Sequence, residues 1–126
     1  MSLAYVKKIC LFGGAGFVGS SIVRLLAKRG FQLKIATRSP FDEDLLELKS
    51  TVSDPGQITI EKINFHSNNQ IKNFIQDCEV CINLVGILFE KGKNTFNKVH
   101  TEFVNNLVLA IKKESSIKHF IHFSSL

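Results

Sequence analysis

Phe12-Gly13-Gly14-Ala15-Gly16-Phe17-Val18-Gly19-Ser20 is the stretch whose reading decides the fold of this chain. Gly13, Gly16 and Gly19 stand in the pattern G-x-x-G-x-x-G. Before them, residues 7–12 form a short apolar run with Ile9, Cys10, Leu11 and Phe12, which reads as a buried strand. After them, apolar residues at 17, 18, 22, 25 and 26 fall on one face of a helix over 17–29. Arg24, Lys28 and Arg29 crowd the end of that helix, where cations complement its dipole, and Gly30 supplies the stop. A strand, a glycine turn and a helix in this order give each glycine a task. One permits the sharp turn out of the strand. One lets the backbone approach a phosphate with no Cβ in the way. One lets the helix pack tightly on the strand. The free N–H groups of the first helical turn then face an anion, with the helix dipole behind them. A nucleoside triphosphate loop would need lysine after the second glycine of G-x-x-x-x-G. Gly14 and Gly19 have that spacing, but Ser20 stands in the lysine's place.

Outward from the glycine turn, strand and helix signals alternate to the end of the chain. Residues 31–37 read as a second strand, 41–50 as a short helix after Pro40, and Asp54-Pro55-Gly56 as a turn. Residues 58–65 read as a third strand, 68–76 as a helix, and 80–85 as a fourth strand. A polar loop over 91–94 leads to the longest helix, 95–113, and then to a fifth strand over 117–123. This βαβαβαβαβ order specifies an α/β fold: a doubly wound parallel sheet of Rossmann type with helices on both faces. The whole of 1–126 reads as one domain, the N-terminal portion of such a fold, truncated after the fifth strand. The edge where a sixth strand belongs is then open to pairing, and oligomerisation through it is expected.

Composition narrows the function classes. The formal charge is +5, from 16 Lys and Arg against 11 Asp and Glu, but no run of five like charges occurs. The lysines read as a solvated surface, and no nucleic-acid partner is expected. No apolar run is long enough to span a bilayer, and the first residues do not form a signal peptide. The expected location is cytoplasmic or peripheral at the inner membrane face. Three cysteines give no disulfide framework, which fits a reducing compartment.

The glycine turn in its βαβ context fits the pyrophosphate of a nicotinamide dinucleotide. The end of the second strand then meets the adenosine ribose, where an acid selects NAD and an arginine accommodates a 2′-phosphate. This strand ends in Thr37-Arg38-Ser39, with no acid at its tip. The Arg38 guanidinium can fork onto a phosphate, and the hydroxyls of Thr37 and Ser39 can assist. NADP(H) is therefore expected in preference to NAD(H).

Gly13-Gly14-Ala15-Gly16-Phe17-Val18-Gly19, Thr37-Arg38 and Ile82-Asn83-Leu84-Val85-Gly86-Ile87-Leu88 together resemble the extended and atypical short-chain dehydrogenase/reductases. With Phe96, Val99-His100 and Phe120-Ile121-His122-Phe123-Ser124, the resemblance is closest to the epimerase/dehydratase-like branch of the 39 kDa accessory subunit of respiratory complex I. It implies that Gly13, Ala15, Gly16, Phe17 and Val18 line the pyrophosphate and that Arg38 takes the 2′-phosphate. It places Leu84, Val85 and Gly86 under the adenosine ribose and toward the nicotinamide, and Ser124 near the nicotinamide ribose. Asn64, ending the third strand, faces the adenine edge. Catalytic members use Tyr-x-x-x-Lys, in which lysine lowers the pKa of the tyrosine acid/base. The single tyrosine here, Tyr5, has Ile9 four residues later and precedes the first strand. No catalytic residue is therefore assigned. Two readings remain: an accessory or assembly-type protein that holds the dinucleotide beside respiratory-complex subunits, or an oxidoreductase or sugar-nucleotide epimerase/dehydratase whose catalytic half lies beyond this chain. A sensor of the cofactor's redox state is a third.

Two other patterns carry less. Cys78-Glu79-Val80-Cys81 is formally C-x-x-C, but Cys81 falls inside a strand, so the two side chains are expected on opposite faces. His119 and His122 meet the same objection as a metal pair.

Overall fold

The computed structural model describes residues 7–13, 16–37, 57–85 and 94–123, with the backbone alone at 16, 17 and 94–100. The chain runs β1 (Lys8–Phe12), α1 (Gly16–Lys28), β2 (Gln32–Thr37), β3 (Ile58–Lys62), α2 (Asn68–Ile75), β4 (Val80–Asn83), α3 (Asn94–Lys113) and β5 (His119–His122). The five strands form one sheet in the order β3-β2-β1-β4-β5, and every neighbouring pair is parallel. The doubly wound expectation holds. The helix expected over 41–50 lies outside the described residues.

The sheet is apolar on both faces, as a parallel sheet between helix layers must be. Ile9 and Leu11 of β1, Leu33 and Ile35 of β2, and Ile82 of β4 pack with Val23 and Ala27 of α1. Cys10, Phe12, Ala36 and Cys81 point the other way, into a core shared with α2 and α3. Phe12 is fully buried there. Its ring lies 5.1 Å from Phe74 and 5.3 Å from Phe103, and Phe65 stacks on Phe103 at 4.9 Å. The edge-on and tilted contacts suit the ring quadrupoles.

Local chemistry explains the helix ends. Gly30 adopts φ +89° after α1. Its N–H donates to Ala27 at 3.0 Å, and the Phe31 N–H reaches Leu26 at 3.3 Å. That is a Schellman ending, with Leu26 and Phe31 both against the same core. The Gln57 amide also donates to the carbonyls of Ala27 (2.7 Å) and Phe31 (3.0 Å), which ties the start of β3 to this end. Ser67 caps α2 by accepting from the Gln70 N–H at 3.2 Å. At the other end of α2, Lys34 Nζ donates to the Phe74 carbonyl at 2.9 Å and lies 3.6 Å from Glu61.

Two strands end earlier than the apolar pattern implies. β3 stops at Lys62, because Asn64 Oδ1 accepts the His66 N–H at 2.9 Å and turns the chain. Ile63 and Phe65 are buried all the same, in the turn. β4 stops at Asn83, whose Oδ1 accepts the Val85 N–H at 3.0 Å. Apolar content therefore continues past the ladder at both places.

Cys78 and Cys81 depart from the expectation of opposite faces, while Cys10 is a small core residue of β1. Cys10, Cys78 and Cys81 all join the core on the α2/α3 side. Cys78 precedes β4, so strand alternation does not govern it. Its thiol, hydrogen-bonded to Cys10 and buried, is held well above the ordinary range. In Cys10 the hydrogen bond with Cys78 acts to lower the value, but the bond with Cys81 and burial prevail and raise it. Thiols held protonated in this way pack as small apolar groups and are poor nucleophiles.

Candidate dinucleotide-binding groove

In an open parallel sheet, the natural crevice is where consecutive strands depart in opposite directions. Here β2 lies on one side of β1 and β4 on the other. The glycine turn leaves β1 at that point. Gly13 has φ +94°, a conformation open to glycine and costly to other residues. Its N–H donates to the Ala36 carbonyl of β2 at 3.0 Å, while the Leu84 N–H donates to the Phe12 carbonyl at 2.8 Å. Both neighbours thus hold the exit of β1. A Cβ on Gly13 would lie 3.4 Å from the Leu84 carbonyl carbon, the Leu84 Cβ and the Val85 nitrogen. The glycine brings the two loops into van der Waals contact and leaves the backbone bare on the groove side.

α1 opens at Gly16, directly after this turn. Its first-turn N–H groups have no partner within the helix, and no acidic residue stands in that turn to oppose an anion. Val18 is half-buried and Gly19 buried. Gly14 and Ala15 lie outside the described residues, as do Arg38, Ser39, Gly86 and Ser124.

The remaining described candidates share the same edge of the sheet. Thr37 ends β2, and its carbonyl accepts the Ile63 N–H at 3.1 Å. One strand further out, the Asn64 N–H donates to Gln70 Oε1 at 2.7 Å. Lys62, Ile63, Asn64 and Gln70 border a cavity of about 420 Å³ there. On the other side of β1, Leu84 is buried and Val85 half-buried. Gly13, Gly19, Thr37, Asn64, Leu84 and Val85 therefore lie along the C-terminal ends of four adjacent strands and the start of α1.

A residue the sequence reading left unassigned anchors the β4 end of this row. Asn83 is the one fully buried polar side chain among the described residues. An N–H can only donate, so the Val85 bond fixes which end of the amide is oxygen. Asn83 Nδ2 then faces His122 Nδ1 at 2.9 Å and donates to it, which places the ring proton on Nε2. The Asn83 carbonyl also accepts the Phe123 N–H at 3.0 Å. One amide thus links the turn that meets Gly13 to the end of β5. The signal in sequence was a single polar residue inside Val-Cys-Ile-Asn-Leu-Val. Its partner lies 39 residues away.

His119 and His122 do fall on opposite faces of β5: Phe120, which packs on the α2/α3 core, follows His119 directly and shares its face with His122, whose ring lies 6.3 Å from its own. Among the described residues no cluster of three or more His, Cys, Asp or Glu is arranged to hold a metal, and no helix is long and apolar enough to cross a membrane.

The sheet order and the crevice at β1 and β4 define a doubly wound fold of Rossmann type. The chain belongs to the NmrA-like family, which it matches over residues 6–126. It is 29% identical over 116 residues to NADH dehydrogenase (ubiquinone) 1 alpha subcomplex subunit 9, mitochondrial, of Arabidopsis thaliana, covering 92% of this chain and 28% of that protein. Against the Mus musculus protein of the same name it is 31% identical over 118 residues, covering 92% and 30%. The structure of vestitone reductase from alfalfa (Medicago sativa L.) superposes with a TM-score of 0.71 at 17% identity, over 91% of this chain and 35% of the reductase. The chain thus spans about 30% of the curated relatives' length.

Proposed function

We propose that this chain holds a nicotinamide dinucleotide, NADP(H) in preference to NAD(H), as an accessory or assembly-type protein beside respiratory-complex subunits. The observation that carries the reading is Gly13: positive φ, at the switch point, in contact with the Leu84 backbone. Gly13, Gly14, Ala15, Gly16, Phe17, Val18 and Gly19 line the pyrophosphate. Thr37, Arg38 and Ser39 surround the 2′-phosphate, and Asn64 borders the adenine. Leu84, Val85 and Gly86 lie under the ribose and toward the nicotinamide, with Ser124 beyond. The dinucleotide stabilises the fold by mass action. The partner class follows from the subunit 9 relatives, and the location is cytoplasmic, peripheral at the inner membrane face. Contact with a neighbouring copy through the open edge of the sheet belongs to the same reading.

Arg38→Ala tests the cofactor choice. It is expected to weaken NADPH about ten-fold or more, the scale of one charge-assisted fork, and to leave NADH nearly unchanged. Titration calorimetry reads both. Equal losses would remove Arg38 from the 2′-phosphate.

The reductase likeness favours a second reading: the dinucleotide-binding part of an oxidoreductase or sugar-nucleotide epimerase/dehydratase, with Tyr-x-x-x-Lys in a part beyond this chain. Hydride transfer from NADPH by a protein that extends past Leu126, lost when that tyrosine is changed to phenylalanine, would establish it.

A further inference from the structure

The lysines look scattered in sequence, yet the fold gathers them. At the edge of the sheet opposite the groove, strands begin and helices end. Lys7 and Lys118 stand there just before β1 and β5, with Glu79 between them just before β4. The Glu79 N–H donates to the Lys8 carbonyl at 2.9 Å, and the Lys118 N–H to the Glu79 carbonyl at 2.8 Å, so the three strands begin at one level. Lys28 and Arg29 close α1 on one face of the sheet; Lys112 and Lys113 close α3 on the other. All six cations are exposed. Among the described residues the acids at the same edge are Asp77, Glu79 and Glu114; the latter two are half-buried, and Glu114 accepts from the Ser116 hydroxyl at 2.7 Å.

Helix dipoles account for cations at the ends of α1 and α3. They do not account for Lys7 and Lys118, which precede strands. The dinucleotide does not account for any of them, because strands of four to six residues separate the two edges, roughly 13–20 Å, beyond a Debye length. We propose that this basic edge is a docking face for the anionic phospholipid surface of a membrane. The proposal refines the peripheral location given above and is independent of cofactor binding.

The composition of the patch selects this partner. Five of the six cations are lysine, a hydrated point charge suited to a diffuse headgroup field; a fitted phosphate or carboxylate contact favours the arginine fork. The exposed large hydrophobic residues among those described are Leu25, Leu109 and Ile121, so among the described residues no exposed phenylalanine or tyrosine stands on this face to stack bases.

The test is sedimentation of the chain with vesicles of phosphatidylcholine mixed with phosphatidylglycerol, and of phosphatidylcholine alone, across a salt series. The expected result is binding to the anionic vesicles only, weakening as salt rises. The pair Lys112→Glu/Lys118→Glu is expected to reduce it about ten-fold or more. The pair Lys62→Glu/Lys98→Glu, with the same charge change at the end of β3 and near the start of α3, by the opposite edge, stays within about two-fold of the parent. Circular dichroism confirms that both variants fold, and an NADPH titration of each reads the cofactor site separately. No binding to anionic vesicles, equal binding to neutral ones, equal losses in the two pairs, or tighter binding to duplex DNA at the same salt would overturn the proposal.

Discussion

Gly13→Val is expected to abolish measurable NADPH binding and to destabilise the chain. The backbone at φ +94° costs a residue with a Cβ about 1–2 kcal/mol, and a β-branched one more. Steric contact adds to this. A bare Cβ would already touch Leu84 and Val85 at 3.4 Å, so the γ carbons of valine have to displace the turn after β4 or enter the groove. Either movement closes the space in which a pyrophosphate approaches the backbone. Gly13→Ala separates the two effects: it carries the conformational cost without the γ carbons. It should retain part of the binding that valine loses. Urea unfolding and NADPH titration of both variants check this, and a valine variant that binds like the parent would show that nothing approaches Gly13 closely.

Asn83→Ala is expected to cost about 1–3 kcal/mol, since it removes a fully buried amide that partners a half-buried N–H and an exposed imidazole. The Val85 N–H loses its acceptor and His122 Nδ1 its donor. The loss should also reach the groove, because the same amide sets the turn that packs on Gly13. Asn83→Asp keeps an oxygen for Val85 but offers His122 an acceptor in place of a donor, so the imidazole must donate from Nδ1. The aspartate variant should therefore be more stable than the alanine variant. Denaturant unfolding of both measures this. If Asn83→Ala were as stable as the parent, the amide would be a passive occupant of the core.

Local pattern carried much of this structure in advance. The strand–glycine–helix start depends on neighbours in sequence, and alternation of apolar runs fixed the order of elements. Gly30 announced the end of α1 for the same reason. The errors have one origin, which is that pattern registers burial and not pairing. Ile63, Phe65 and Leu84 are buried beyond the last ladder residue, because asparagine side chains capture the backbone at Asn64 and Asn83. Cys78 reached the same core as Cys81 from outside the strand. The Asn83–His122 bond and the basic edge were beyond sequence reading, since each depends on which strand starts and ends beside which. The parallel order β3-β2-β1-β4-β5 brings Lys7 and Lys118 to one level across more than a hundred positions of chain.

The central claim is that the groove at β1 and β4 receives a nicotinamide dinucleotide, and calorimetric titration of the folded chain with NADPH and then NADH tests it most directly. The account predicts saturable binding of NADPH, about ten-fold or more tighter than that of NADH, the difference of one phosphate–arginine contact. A chain that circular dichroism shows to be folded and that binds neither dinucleotide would contradict it.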